Sequence, residues 1–294
     1  MRNISTIMIL SLMRKLTKFT ENIKMKKIVL ALSILTILLY SCKDEDAINT
    51  PNLASTQATQ DHLFAEQVFN DVGYIVETAF SENITKKSYP TYTIIDGDSL
   101  NIDILIINFG PNNILFPNNG GKLRKGKINI TYTGRYRDSL TVITTTFDNY
   151  YVDNNLIQGE RVVTNKGKNL SSNMWFTIAI NNASINTSNG IINWESDRKR
   201  EWVSGRSTYE IYDDNYIITG SASGTGVNSN SFIMEITDTL NVDLSCLPYC
   251  VIKSGTAKIS PNGYADRIIN YGDSLCDCNF DVSVNGTSYL IVVN

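Results

Sequence analysis

Residues 126–152 read GKINITYTGRYRDSLTVITTTFDNYYV. Two runs rich in Ile, Val, Thr and Tyr, 126–136 and 141–152, flank a short polar break. β-branched and aromatic residues suit the pleated surface of a sheet, and a polar break between two such runs marks a turn. The same alternation continues in both directions, through 102–109 upstream and through 156–164, 174–180, 209–212, 231–236, 251–259 and 281–293 downstream. Asp96-Gly97, Asn189-Gly190, Asn262-Gly263 and Asn285-Gly286 supply hairpin turns, because both residues of each pair tolerate positive φ. Nothing between the runs reads as a crossover helix, so consecutive strands are expected to pair antiparallel. The expectation is a mainly β body over 90–294, built as an antiparallel β-sandwich or an extended β-meander.

A loose recurrence accompanies these strands. An apolar residue, one or two polar ones and a glycine recur at Leu123–Gly126, Ile157–Gly159, Val203–Gly205, Ile218–Gly220, Ile252–Gly255 and Val284–Gly286. The spacing is too irregular for a solenoid, and glycines at bends or bulges of successive hairpins account for it.

Upstream of Pro90 the pattern changes to a helical one. Leu63, Phe64, Val68, Val72, Ile75, Val76 and Ala79 recur at three- and four-residue steps, which predicts one amphipathic helix over 60–82 with its apolar stripe docked on the sheet. Gly73 weakens that helix by about 1 kcal/mol relative to Ala. His62, in the first turn, reads as a surface histidine rather than a ligand. Residues 42–59 are polar, carry Pro51 and show no hydrophobic period, as expected of a flexible stalk.

Residues 25–42 read MKKIVLALSILTILLYSC: two lysines, an apolar run over 28–39, then Ser41 and Cys42. That is the layout of a secretory signal. Twelve apolar residues rise about 18 Å as a helix, short of the roughly 30 Å hydrocarbon core, so a permanent span is disfavoured. Residues 1–41 are thus read as a signal region, with initiation at Met25 giving a signal of ordinary size. Leu39-Tyr40-Ser41-Cys42 resembles the bacterial lipobox, with Tyr40 larger than usual. The resemblance implies a diacylglycerol on the Cys42 thiol and a lipid anchor in the membrane; two or more acyl chains make such anchoring durable.

Charge narrows the function classes. The chain has 26 Lys and Arg against 29 Asp and Glu, a net charge of −3. Seven of the basic residues and one acid lie in 1–41, leaving 19 basic and 28 acidic residues in the remainder, net −9. No basic excess invites nucleic acid, and an acidic surface disfavours anionic glycans and lipid headgroups. A single histidine argues against His-based catalysis or a multi-His metal centre.

Several stretches, FNDV (69–72), RKGKI (124–128), TGRY (133–136), FDNYYV (147–152), ITGSASG (218–224) and YGD (271–273), resemble a family of Bacteroidota outer-membrane lipoproteins with a lipobox signal, a short helix and a long β region. Lys43-Asp44-Glu45-Asp46, directly after Cys42, is similar to the acidic stretch of their surface-exposed members. The resemblance implies an outer-membrane address facing the cell surface and carries no activity with it.

Four later cysteines depart from that family pattern: Cys246 and Cys250 in CLPYC, Cys276 and Cys278 in CDC. An even number in an exported chain points to two disulfides. A 276–278 bridge is strained in an extended strand, so two bridges between the segments are expected, with 246–278 and 250–276 as the antiparallel choice. The spacing is unlike that of a four-cysteine zinc site, and no metal or cofactor is expected.

Weaker signals are also present. Asp96, Asp98 and Asp103 carry oxygens at the spacing of a calcium loop but read better as a hairpin turn. Glu195-Ser196-Asp197-Arg198-Lys199-Arg200-Glu201, bracketed by Trp194 and Trp202, reads as a solvated strand, with a glycosidase carboxylate pair as the rival. Trp175, Trp194 and Trp202 would suit a sugar-stacking face. Ser99, Ser139, Thr239 and Ser274 fit the Asp-Ser/Thr-aliphatic pattern of Bacteroidota O-glycosylation and lie at apparent turns. Together these features predict a non-enzymatic structural or binding lipoprotein, with a glycan or an envelope protein as partner and glycan degradation as the alternative.

Overall fold

The computed structural model describes residues 56–81, 90–97, 102–116, 121–208, 210–247 and 250–292. The signal region, Cys42, Ser99 and nearly all of the stalk lie outside these residues. Within them the chain forms one helix, α1 (Gln57–Ser81), followed by a continuous antiparallel sheet. Its thirteen strands are β1 (Thr91–Ile95), β2 (Asp103–Phe116), β3 (Lys122–Tyr132), β4 (Val142–Val152), β5 (Asn155–Lys168), β6 (Met174–Thr187), β7 (Gly190–Ser204), β8 (Asn215–Thr225), β9 (Ser231–Asp243), β10 (Ile252–Pro261), β11 (Arg267–Asp273), β12 (Asn279–Val284) and β13 (Thr287–Val292). Each strand pairs with its sequence neighbours, so the arrangement is a meander rather than two packed sheets.

Period-2 burial is plain in β7, where Ile192, Trp194, Ser196, Arg198, Arg200 and Trp202 face inward while Asn193, Glu195, Asp197 and Lys199 face out. The inner face buries Ile107, Ile128, Ile130, Ile157, Ile185 and Ile269 completely.

The recurrent glycines mark where the strands bend. Ladder register shifts fall at Gly126, Gly159, Gly220 and Gly255. Gly126 has φ 86° and lies so close to β4 that a Cβ would sit 1.9 Å from the Asn149 carbonyl oxygen. At Gly159, φ 109°, it would sit 2.6 Å from the Ala183 Cα. Bulges raise local twist and bend the bulged strand, which curls a long sheet around the helix instead of leaving it flat. Asn285-Gly286 joins β12 to β13 with both φ positive, at 49° and 82°, as its composition predicts. Of the run read as a strand at 209–212, residue 209 lies outside the described residues and 210–212 form no strand; 211–213 are a single 3-10 turn.

Helix α1 starts three residues earlier than its apolar period suggests. Ala58 and Thr59, assigned to the stalk from sequence, are buried, as is Ala65. Small residues let the sheet approach closely but add little to a hydrophobic pattern. Buried positions ring most of the helix, among them Leu63, Val68, Phe69, Val72, Ile75 and Val76. Full burial of such a side chain contributes about 1.5–3 kcal/mol. Among the helix side chains described, only Gln60 and Asn70 are exposed, and the half-buried Gln57, Phe64, Gln67, Tyr74 and Glu77 continue the same three- and four-residue line. The helix therefore lies in a trough of sheet with one seam open along its length.

Candidate functional site: a cleft between helix and sheet

Along that seam the helix and the inner face of the sheet leave a cavity of about 190 Å³. One flank is α1, from Leu63 to Glu77; the facing wall is apolar, with Ile218, Leu240, Val242, Ile252, Tyr271 and Phe280 from β8 to β12. Volumes of this size stay empty only where the lining is apolar, and an engineered cavity of about 150 Å³ takes up benzene.

The floor is charged. Three carboxylates of α1 reach into the sheet and each meets an arginine. Arg124 on β3 donates to both oxygens of Asp71, at 2.6 and 2.8 Å, and also to the Tyr150 hydroxyl at 2.8 Å. Arg198 on β7 donates to Glu66 at 3.0 Å, and the Tyr271 hydroxyl donates to the other oxygen of Glu66 at 2.9 Å. Arg200 on β7 donates to Glu77 at 2.8 Å and to the Tyr136 hydroxyl. It lies against the Tyr216 ring, its guanidinium carbon 4.6 Å from the centroid. Burial works against the charge on Glu66, yet His62, Arg198 and the Tyr271 hydroxyl draw it below the ordinary carboxylate range. These pairs fix both the rotation and the axial position of α1, since 66, 71 and 77 each have one matching cation.

A fourth arginine has no such partner. Arg161 on β5 is 5% exposed and forms part of the cavity wall. It makes no hydrogen bond or ion pair among the described residues. Its guanidinium rests against Gly73, where a Cβ would fall 2.8 Å from Nη2. Burial pushes Arg161 down to about 10, with Glu77 opposing and Arg200 reinforcing, so it remains cationic at neutral pH.

Two expectations about the charged segment are corrected here. The alternation of 195–201 is legible in the sequence, but the Ser196, Arg198 and Arg200 face is interior rather than solvated. Trp194 and Trp202, each 3% exposed, are also interior, so only Trp175 remains near the surface, with the Lys199 ammonium 5.2 Å from its ring centroid. Glu195 and Asp197 point outward, and Glu201 accepts from Asn173 at 2.9 Å. No glycosidase-like pair converges there. The signal for the buried arginines is their shared strand face with two tryptophans, and for Arg161 the face it shares with Val163.

His62 is a further correction: it is fully buried, not a surface residue. Its Nδ1 accepts from Trp194 Nε1 at 3.1 Å, and burial lowers its pKa to about 4. Trp202 and Tyr216 donate to Asp214, whose burial raises it to about 6.

The cysteines pair as Cys246–Cys276 and Cys250–Cys278, not in the antiparallel order expected. That order presumes two paired strands. Instead both segments are connections, β9 to β10 and β11 to β12, and residues 244–246 form a 3-10 turn. Cys250 and Cys278 are among the residues that line the cleft.

The remaining candidates scatter. Gly97 N–H donates to Asp103 Oδ1 at 2.8 Å, a turn contact, and no metal-binding cluster occurs among the described residues. Ser139 and Ser274 are exposed beside turns, whereas Thr239 is half-buried within β9 rather than at a turn. Cys42 and Ser99 lie outside the described residues. No protein-family model matches the chain, and neither a curated protein nor a solved structure does.

Proposed function

We propose that this chain is a lipid-anchored outer-membrane lipoprotein, facing the cell surface, whose β body binds a ligand in the cleft between α1 and the sheet. The reading as a binding module rests on one observation: the three helix carboxylates in the cleft are each engaged by an arginine, and an apolar-walled cavity lies beside them. Catalysis by a carboxylate needs a group free to exchange a proton, and Glu66, Asp71 and Glu77 are tied up in ion pairs. Two disulfides support an oxidising, extracytoplasmic location. The signal-like residues 25–41 and the lipobox-like Cys42 support the anchor. Sugar stacking has less support, because two of the three tryptophans are interior.

Fractionation tests the anchor: Cys42→Ala should move the protein from membranes to the soluble fraction, and continued membrane retention counts against lipidation. Native mass spectrometry of the protein taken from its own envelope tests the binding role. A retained small molecule displaced on unfolding supports it; an empty cleft under gentle extraction argues for a purely structural part.

A further inference from the structure

We propose that the cleft takes a small amphipathic anion, its carboxylate or phosphate head on Arg161 and its apolar tail against the wall formed by Leu240, Val242, Ile252 and Phe280. This rests on the cleft being a binding site and is independent of the lipid anchor.

The pairing of the arginines that face the helix carries the head group. Arg124, Arg198 and Arg200 each engage one helix carboxylate, whereas the buried Arg161 guanidinium makes no such contact among the described residues. A buried charge without a counter-ion is strongly unfavourable, because desolvation is not offset. The nearest acid, Glu77, already accepts from Arg200. Helix α1 also makes room at this point, with Gly73 where a side chain would crowd the guanidinium. Arginine presents a planar fork suited to two oxygens of one carboxylate or phosphate.

The apolar wall carries the tail. A cavity of about 190 Å³ is somewhat larger than the roughly 150 Å³ cavity that takes up benzene, room for about six to eight carbons. A head without a tail would leave that surface uncovered, and a tail without a head would leave Arg161 unpaired. Net negative charge on the chain slows the approach of any anion. That effect is screened beyond about 8 Å at physiological salt, whereas the field inside the cleft is local.

The test is titration calorimetry on the intact protein bearing Cys42→Ala, with octanoate, octyl phosphate and octanol as probes. Octanoate or octyl phosphate should bind one to one and at least tenfold more tightly than octanol; whichever anion is tighter identifies the head group. Arg161→Met should reduce the anion to the affinity of octanol, and Val242→Trp should abolish binding of all three while leaving Arg161 in place. Equal affinity for octanoate and octanol, or an unchanged anion affinity in Arg161→Met, overturns the proposal. So does the absence of binding by every probe. In that case a different molecule found in the cleft by native mass spectrometry would leave the general binding role standing.

Discussion

Arg161 occupies the space that a side chain at position 73 would need: a Cβ on Gly73 would lie 2.8 Å from Arg161 Nη2. Glycine in a helix interior costs about 1 kcal/mol relative to alanine, and here it accommodates a cation with no partner. Gly73→Ala therefore has two opposed effects, a gain in helix propensity and a push on the tip of a flexible side chain. Urea unfolding should find its stability within about 1 kcal/mol of the parent. Arg161→Met, which replaces a buried unpaired charge with an apolar side chain of similar length, should stabilise the free protein by about 1–3 kcal/mol. A loss of stability in Arg161→Met would mean the guanidinium is structural.

The Asp71–Arg124 pair is the opposite case, a buried charge fully matched. Both side chains are almost wholly buried, and Arg124 is bidentate on the carboxylate. Removing one partner leaves the other charge stranded, at a cost of about 3–5 kcal/mol. Asp71→Ala and Arg124→Met should each destabilise by that amount. The double variant should lose much less than the sum, because nothing charged remains behind. Additive losses in a double-mutant cycle would mean that the two residues do not interact as the geometry requires.

Acid sensitivity follows from His62, which faces Glu66, Arg198, Trp194 and Phe232. Its folded pKa of about 4 lies below the 6.5 of a free imidazole, burial being the main cause. Between those values the unfolded chain binds the proton that the folded chain excludes. The stability gained by holding His62 neutral is thus complete above pH 6.5 and is lost as pH falls toward 4, about 3 kcal/mol in all. Asp214 acts in the opposite sense: raised to about 6, it favours the folded state most below 3.8 and loses that contribution as pH rises through 6. The clean measurement is therefore a difference. His62→Asn keeps an acceptor for Trp194 and removes the titration, so its stability should fall less steeply than the parent's from pH 6.5 to 4. Superimposable profiles would contradict the assignment.

The sheet was legible because its signals are local. Alternation in 126–152, Asn-Gly pairs at turns and glycines at bulges each act within a few residues, and a meander asks for nothing longer. The buried charges were not legible in the same way. Glu66, Asp71 and Glu77 on a helix look solvated unless arginines 53 to 132 residues away are known to meet them. His62 misled for the same reason, since Trp194 is 132 residues distant. Ala58 and Ala65 were missed because close packing, not hydrophobic bulk, buries them.

The disulfide pattern gives the sharpest chemical check. Cleavage after Tyr249 separates Cys246 from Cys250, and an Asp-directed protease at Asp277 separates Cys276 from Cys278. Non-reducing mass spectrometry of that digest should find 246 joined to 276 and 250 joined to 278. A peptide joining 246 to 278 would restore the antiparallel order and require the two connections to run in opposite senses. The bridges span 30 and 28 residues, so each restrains the unfolded chain by about 3–4 kcal/mol. Replacing Cys250 and Cys278 together by Ser should lower stability by about 3 kcal/mol. It should also weaken octanoate binding, because those residues line the cleft. Replacing Cys246 and Cys276, which do not line the cavity, should cost a similar amount of stability and leave the ligand affinity closer to that of the parent.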